Sequence, residues 1–191
     1  MRPNRLMCEV ACLRRVSEGT LHANLKTITS KMEHTNSYFE YQYRLVQASR
    51  KTLFDYCKRI SNENFLNQNS SFGRGGSIRN LLVHIANTYE YWIVKHALDN
   101  DIAFTEYTSI NDIDAVVEMF GLIDTEIIDF SRRYESSKLV PIDLKLNGVT
   151  KTTTPLELFT HVITHEFHHK GQILSLSRHL GYVPIDTDII R

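Results

Sequence analysis

This chain is poor in the residues that would place it in several specialised classes. Its 191 residues include three cysteines, four prolines, eight glycines and one tryptophan. Three cysteines make no disulfide framework, and their usage fits a reducing cytoplasm. Cys8 and Cys12, four positions apart in a short basic stretch, read as coincidence rather than a metal knuckle. Cys57 falls on a helical pattern and reads as a small core residue. No apolar run approaches the ~20 residues needed to cross a bilayer, which argues against a membrane partner. Lysine plus arginine and aspartate plus glutamate stand at 22 each. The total charge therefore points to neither nucleic acid nor a membrane surface. There is no internal repeat and no low-complexity tract.

What is present suits an ordinary globular domain. Hydrophobic residues make up 42% and charged residues 23% of the chain, enough apolar material for one core. Charge is unevenly placed. Residues 1–31 carry Arg2, Arg5, Arg14, Arg15, Lys26 and Lys31 against Glu9 and Glu18. Glu9 interrupts the apolar run Leu6–Leu13 and Arg14-Arg15 follow it, so this leader is not read as a signal peptide. Met7 and Met32 are both candidate translation starts. The reading is a basic leader over 1–31, outside the domain, and a domain over 32–191.

Helical spacing of Tyr38, Tyr41, Leu45, Leu53 and Tyr56, without Gly or Pro, predicts a first helix over 36–60. The polar segment 61–76, ending Gly-Arg-Gly-Gly, reads as a loop. Ser77 is an N-cap for a second helix over 78–98, with a stripe of Ile78, Leu81, Leu82, Ile85, Tyr89 and Trp92, stopped by Asp99-Asn100-Asp101. A third helix is expected from Asn111 or Asp112 to Tyr134, with Ile113, Val116, Val117, Phe120, Ile123, Ile127 and Phe130 on one side. Asn147-Gly148 marks a small hairpin within 137–153. Thr154, Pro155 and Glu157 form a capping box with proline at the first helical position, starting a last helix that Gly181 stops. Four long helices and one hairpin make an all-α, antiparallel four-helix bundle.

The last helix carries the chemistry. Five of nine histidines lie between His161 and His179. Residues four apart share a helix face, so Leu158, His161, His165, His169, Gln172 and Leu176 form one stripe, read as facing inward. One buried histidine is ordinary; three in a row need partners for six ring nitrogens. A metal satisfies them better, since neutral imidazole is a common ligand for zinc, nickel or iron. A third ligand must come from another helix. His84 and His96 are the candidates, and at about 18 Å apart along the helix they cannot serve one ion. Spacing alone does not choose between them. His22 and His34 read as surface histidines.

His165-Glu166-x-x-His169 also fits the metalloprotease pattern with Glu as base. No distal third ligand of the expected kind follows, so this reading is set aside. Glu166, His168 and Lys170 fall on the helix flanks as boundary residues, with Glu166 and His168 as candidate proton relays. Gly171, in mid-helix at a cost of about 1 kcal/mol, suggests close packing against a neighbour.

The run His161-Val-Ile-Thr-His165-Glu-Phe-His168-His169-Lys170-Gly171-Gln172-Ile173, with a Leu-Gly turn and Pro184 after it, resembles the terminal motif of the DinB/YfiT-like metalloprotein family. This is the damage-inducible family, not the polymerase that shares the name. Leu82-Val83-His84-Ile85 resembles its single-histidine element. The resemblance covers roughly 33–191. It implies an up-down-down-up four-helix bundle holding one divalent ion through His84, His165 and His169, with His161 and His168 outside the ligand set. It also implies the function: transfer of a low-molecular-weight thiol to an electrophile. The alternatives are an amide or ester hydrolase, or a non-catalytic metal-binding stress protein. The expected partners are a small thiol and an electrophile, with a homodimer as the assembly the resemblance allows. Three neutral ligands leave the ion its full charge, which lowers the pKa of a water or thiol beside it.

Overall fold

A computed structural model describes residues 37–69 and 76–191. The leader reading, Cys8, Cys12, His22 and His34 lie outside the described residues. The described part is mostly helical, with one two-stranded antiparallel hairpin before the last helix. The elements are α1 (Tyr38–Cys57), a short α2 (Asn62–Leu66), α3 (Ile78–Tyr89), α4 (Ile113–Tyr134), β1 (Ile142–Leu146), β2 (Val149–Thr153) and α5 (Pro155–His179). A π-helical segment, Glu90–Ala97, continues α3. No helix among the described residues is long and apolar enough to cross a membrane.

The expected caps are in place. Ser77, Asp112 and Thr154 each accept a hydrogen bond from the backbone N–H three residues on, and Glu157 closes the capping box on Thr154. The hairpin turn has Asn147 at φ 50° and Gly148 at φ 83°, the pair of positive φ values that a tight two-residue hairpin requires. Gly181, at φ 90°, follows the end of α5. Cys57 is buried as expected.

Several expectations are corrected. α2 lies within the segment read as loop, capped by Ser61. The buried face of α1 is Phe39, Tyr43, Val46, Arg50, Leu53 and Cys57, while Tyr38 and Tyr41 are exposed. The apolar phase was offset because α1 carries aromatics on both faces and places a charge, Arg50, in the buried row. Val117 is likewise exposed, and Met119 is buried in its stead. The second helix is not α-helical to Leu98. From Glu90 the bonding widens, and the Leu98 N–H donates to Ile93 O at 2.9 Å, an i→i+5 bond. Gly171 has open space where a Cβ would stand, so close packing does not explain it.

Phe39, Phe130 and Phe159, from α1, α4 and α5, form one aromatic cluster with centroids 4.9 to 6.5 Å apart. Around it, Leu53, Ile78, Leu81, Leu82, Ile85, Phe120 and Val162 are essentially without solvent exposure. Full burial of each such side chain contributes roughly 1.5–3 kcal/mol. Leu144 anchors the hairpin to this core.

Candidate metal centre

α3 and α5 pack side by side and bring His84, on α3, against His165 and His169 one turn apart on α5. One ring nitrogen from each lies within 4.8 Å of the other two. His84 Nε2 and His165 Nε2 are 3.2 Å apart. The His84 ring centroid is 5.0 Å from that of His165 and 4.8 Å from that of His169. Tetrahedral nitrogen ligands at zinc distances stand about 3.3 Å apart. The closest pair already meets that spacing, and the widest needs to close by about 1.5 Å. The donor set is all imidazole, which suits zinc, nickel or iron. These three residues therefore fit a divalent metal.

His96 is not with them. It packs against the rings of Tyr91 and Trp92, and its Nε2 is buried without a hydrogen-bond partner. Burial pulls its pKa down, and Lys95 adds to that effect. The packing of α3 on α5 brings His84, and not His96, to His165 and His169.

The electrostatics keep the cluster ready to bind. Burial and the neighbouring histidines pull the His165 pKa down to about 4, so the ring is neutral at pH 7. His169 Nδ1 lies 2.7 Å from Gln172 Oε1. The amide oxygen can only accept, which fixes the proton on Nδ1 and makes Nε2 the unprotonated nitrogen, the one suited to a metal. The Gln172 amide nitrogen donates to His168 Nε2 at 3.1 Å. Gln172 was legible as part of the stripe; its role in setting the tautomer was not.

The histidine row does not sit in the centre of the core, as its leucine flanks suggested. His161 and His168 are exposed, and the row borders a cleft of about 840 Å³ walled opposite by Tyr91, Trp92, Phe104 and Tyr107. Asn87 donates to Thr105 O at 2.9 Å and pins the loop that carries Phe104. The buried row of α5 is the next one round: Phe159, Val162, Glu166, Lys170, Ile173 and Ser177.

Glu166 and Lys170 are therefore not boundary residues; each is 1% exposed. Arg50 donates to both Glu166 oxygens at 3.1 and 2.8 Å, Lys170 meets Oε1 at 2.9 Å, and the Tyr89 hydroxyl donates to Oε2 at 2.7 Å. Arg50 also pairs with Asp124 at 2.9 Å, and Lys170 donates to Ser49 at 2.9 Å. Burial alone would push the Glu166 carboxyl up, but the Arg50 and Lys170 cations outweigh it and hold the carboxyl below its ordinary value. Burial pulls the Lys170 ammonium down against the opposing pull of Glu166. Glu166 thus ties α5 to α1 and α3 from behind the histidine row. The sequence signal was Arg50, a charge in the buried phase of α1.

The chain is 29% identical over 161 residues to the uncharacterised protein YizA of Bacillus subtilis (strain 168), covering 80% of this chain and 92% of YizA. It is 28% identical over 120 residues to Protein DinB of the same organism, covering 59% of this chain and 69% of that one. The DinB family model matches residues 32–191, the span that holds the histidine cluster and every element described above, and the chain is a member of the DinB family.

Proposed function

We propose that this protein is a metal-dependent enzyme that transfers a small thiol to an electrophile, using His84, His165 and His169 as the ligands of one divalent ion. The observation that carries the reading is the convergence of three imidazoles in the lining of one open cleft. When bound, a divalent ion held by neutral ligands supplies Lewis acidity that lowers the pKa of a thiol or water beside it. The protein's own residues do the rest. Gln172 holds the His169 tautomer. The aromatic wall of Tyr91, Trp92, Phe104 and Tyr107 excludes water from one side of the substrate. His168, exposed at the cleft, is the group assigned to proton transfer. Glu166, with both oxygens committed to Arg50, Lys170 and Tyr89, is assigned a positioning role instead.

Thiol is preferred to an internal sulfur nucleophile because Cys57, the cysteine among the described residues, is buried in the core and its thiol is pushed up to about 12 by burial. The up-down-down-up bundle belongs to the same reading. It is supported by α1, α3, α4 and α5 all contributing to one core cluster.

The test is turnover of an electrophile panel with and without low-molecular-weight thiols, in metal-loaded and stripped protein. Thiol-dependent turnover that needs the metal supports the proposal. Metal-dependent amide or ester hydrolysis without thiol replaces it with the hydrolase alternative. Neither activity replaces it with a non-catalytic metal-binding role.

A further inference from the structure

The hairpin carries an exposed lysine on the same side as its buried Leu144. In an antiparallel pair, residues directly opposite one another point to the same side. Leu144 pairs with Lys151, Ile142 with Thr153 and Leu146 with Val149. Leu144 is buried, so this is the face turned toward the helices. The other face holds Asp143, Lys145, Thr150 and Thr152, as a hairpin covering a core should. Lys151 is the single charged strand residue on the Leu144 side, and it is exposed, as is the rest of β2 before Thr153.

Among the described residues Lys151 forms no ion pair or hydrogen bond, and its charge acts at longer range on Glu157 and His161, lowering the pKa of both. The hairpin's acid, Asp143, is on the opposite face and accepts from Thr152 at 2.7 Å. Glu157 lines the same pocket, but its Oε2 accepts from Thr153, Thr154 N and Thr154 Oγ1 in the helix cap. Lys151 Nζ stands over the Trp92 ring, 5.8 Å from its centroid.

Trp92 and His161 connect this lysine to the metal centre. Both line the large cleft, and both line a smaller pocket of about 190 Å³ under the hairpin, where Lys151 forms the far wall. The Trp92 and His161 rings are 5.3 Å apart, and those of His161 and His165 are 5.8 Å apart. The two pockets thus adjoin at His161 and Trp92, with the three histidines in the larger and Lys151 in the smaller.

We propose that Lys151, seated on Trp92, is an anion subsite, so that the substrate of this cleft is a small molecule with a metal-seeking group at one end and a carboxylate or phosphate at the other. This rests on the metal-centred reading above for the first end only. The indole face takes the apolar body of the molecule, and the ammonium takes its charge.

The test uses cobalt(II)-loaded protein and two probe series, ω-mercaptocarboxylates and ω-mercaptoalcohols of matched chain length. Binding is read by the thiolate–cobalt absorption and by intrinsic fluorescence, which reports Trp92 because it is the single tryptophan. At one chain length the carboxylate should bind about fivefold tighter than the alcohol, the scale of a partly exposed ion pair. Lys151→Gln should abolish that preference and leave alcohol binding unchanged, and Lys151→Arg should retain it. Equal affinities at every length, or a preference that survives in Lys151→Gln, overturns the proposal. If the protein takes up no cobalt, the metal-centred reading fails on its own. The carboxylates are then titrated into metal-free protein. A saturable Trp92 response lost in Lys151→Gln keeps the anion subsite, and no response overturns it.

Discussion

Removing the Glu166 carboxylate should cost this fold more than removing any exposed charge. Glu166 is 1% exposed and faces two cations, Arg50 and Lys170, that are 3% and 1% exposed. In Glu166→Leu, Lys170 keeps only Ser49, and Arg50 keeps Asp124 and Tyr43. Breaking a buried ion pair from one side costs about 3–5 kcal/mol, because a charge is left in a medium that cannot solvate it. For a domain of this size that lowers the melting temperature by roughly 6–20 °C. The assay is thermal and urea unfolding of metal-free protein at pH 7, so that metal affinity does not enter. The double variant Glu166→Leu/Lys170→Leu should recover part of the loss, since it removes one of the stranded cations. The pH dependence has a definite sign. The folded-state carboxyl lies below its ordinary value, so its contribution is present at neutral pH and is lost as pH falls through the folded-state value. Wild type and Glu166→Leu should therefore converge on acidification. A single-variant loss under about 1 kcal/mol, or a double variant less stable than the single, would refute the argument.

Glu90 should act in the opposite direction. Burial pushes its carboxyl up to about 7, and its Oε2 has no hydrogen-bond partner among the described residues. The stability it contributes in the neutral form is lost as pH rises through 7. Glu90→Gln should accordingly stabilise by about 1 kcal/mol at pH 8, discounted for partial exposure, and by nothing at pH 4 in equilibrium unfolding. Gln172→Leu should weaken metal binding by about 10- to 100-fold in a competition titration with a chromophoric chelator, because the His169 tautomer is no longer held. Gly171→Ala should stabilise by about 1 kcal/mol in the same unfolding assay, since its Cβ meets nothing within 4 Å and alanine is the better helix former.

The local devices were legible in the sequence because they are local. The caps at Ser77 and Thr154, the Asn147-Gly148 turn and the Gly181 stop depend on residues within three or four positions. The i,i+4 histidines were legible for the same reason, whereas spacing left His84 and His96 open, and it was the resemblance that pointed to His84, which the packing of α3 on α5 brings beside His165 and His169. The phase of α1 was misread because Tyr38 and Tyr41 compete with Phe39 and Tyr43 as apolar markers, and only burial separates them. The π-helical turn was hidden because 90–97 has no distinguishing composition; it moves the Tyr91, Trp92 and His96 rings relative to α3. The Arg50–Glu166–Lys170 cluster joins residues 116 positions apart. No periodicity reports such a partner.

The most direct measurement is metal content by elemental analysis of purified wild type beside His84→Ala, His169→Ala and His96→Ala, with circular dichroism to confirm that each variant is folded. Wild type and His96→Ala should carry close to one divalent ion per chain, and folded His84→Ala and His169→Ala should lose it. Full metal retention in either of the last two, or loss confined to His96→Ala, would contradict this ligand set.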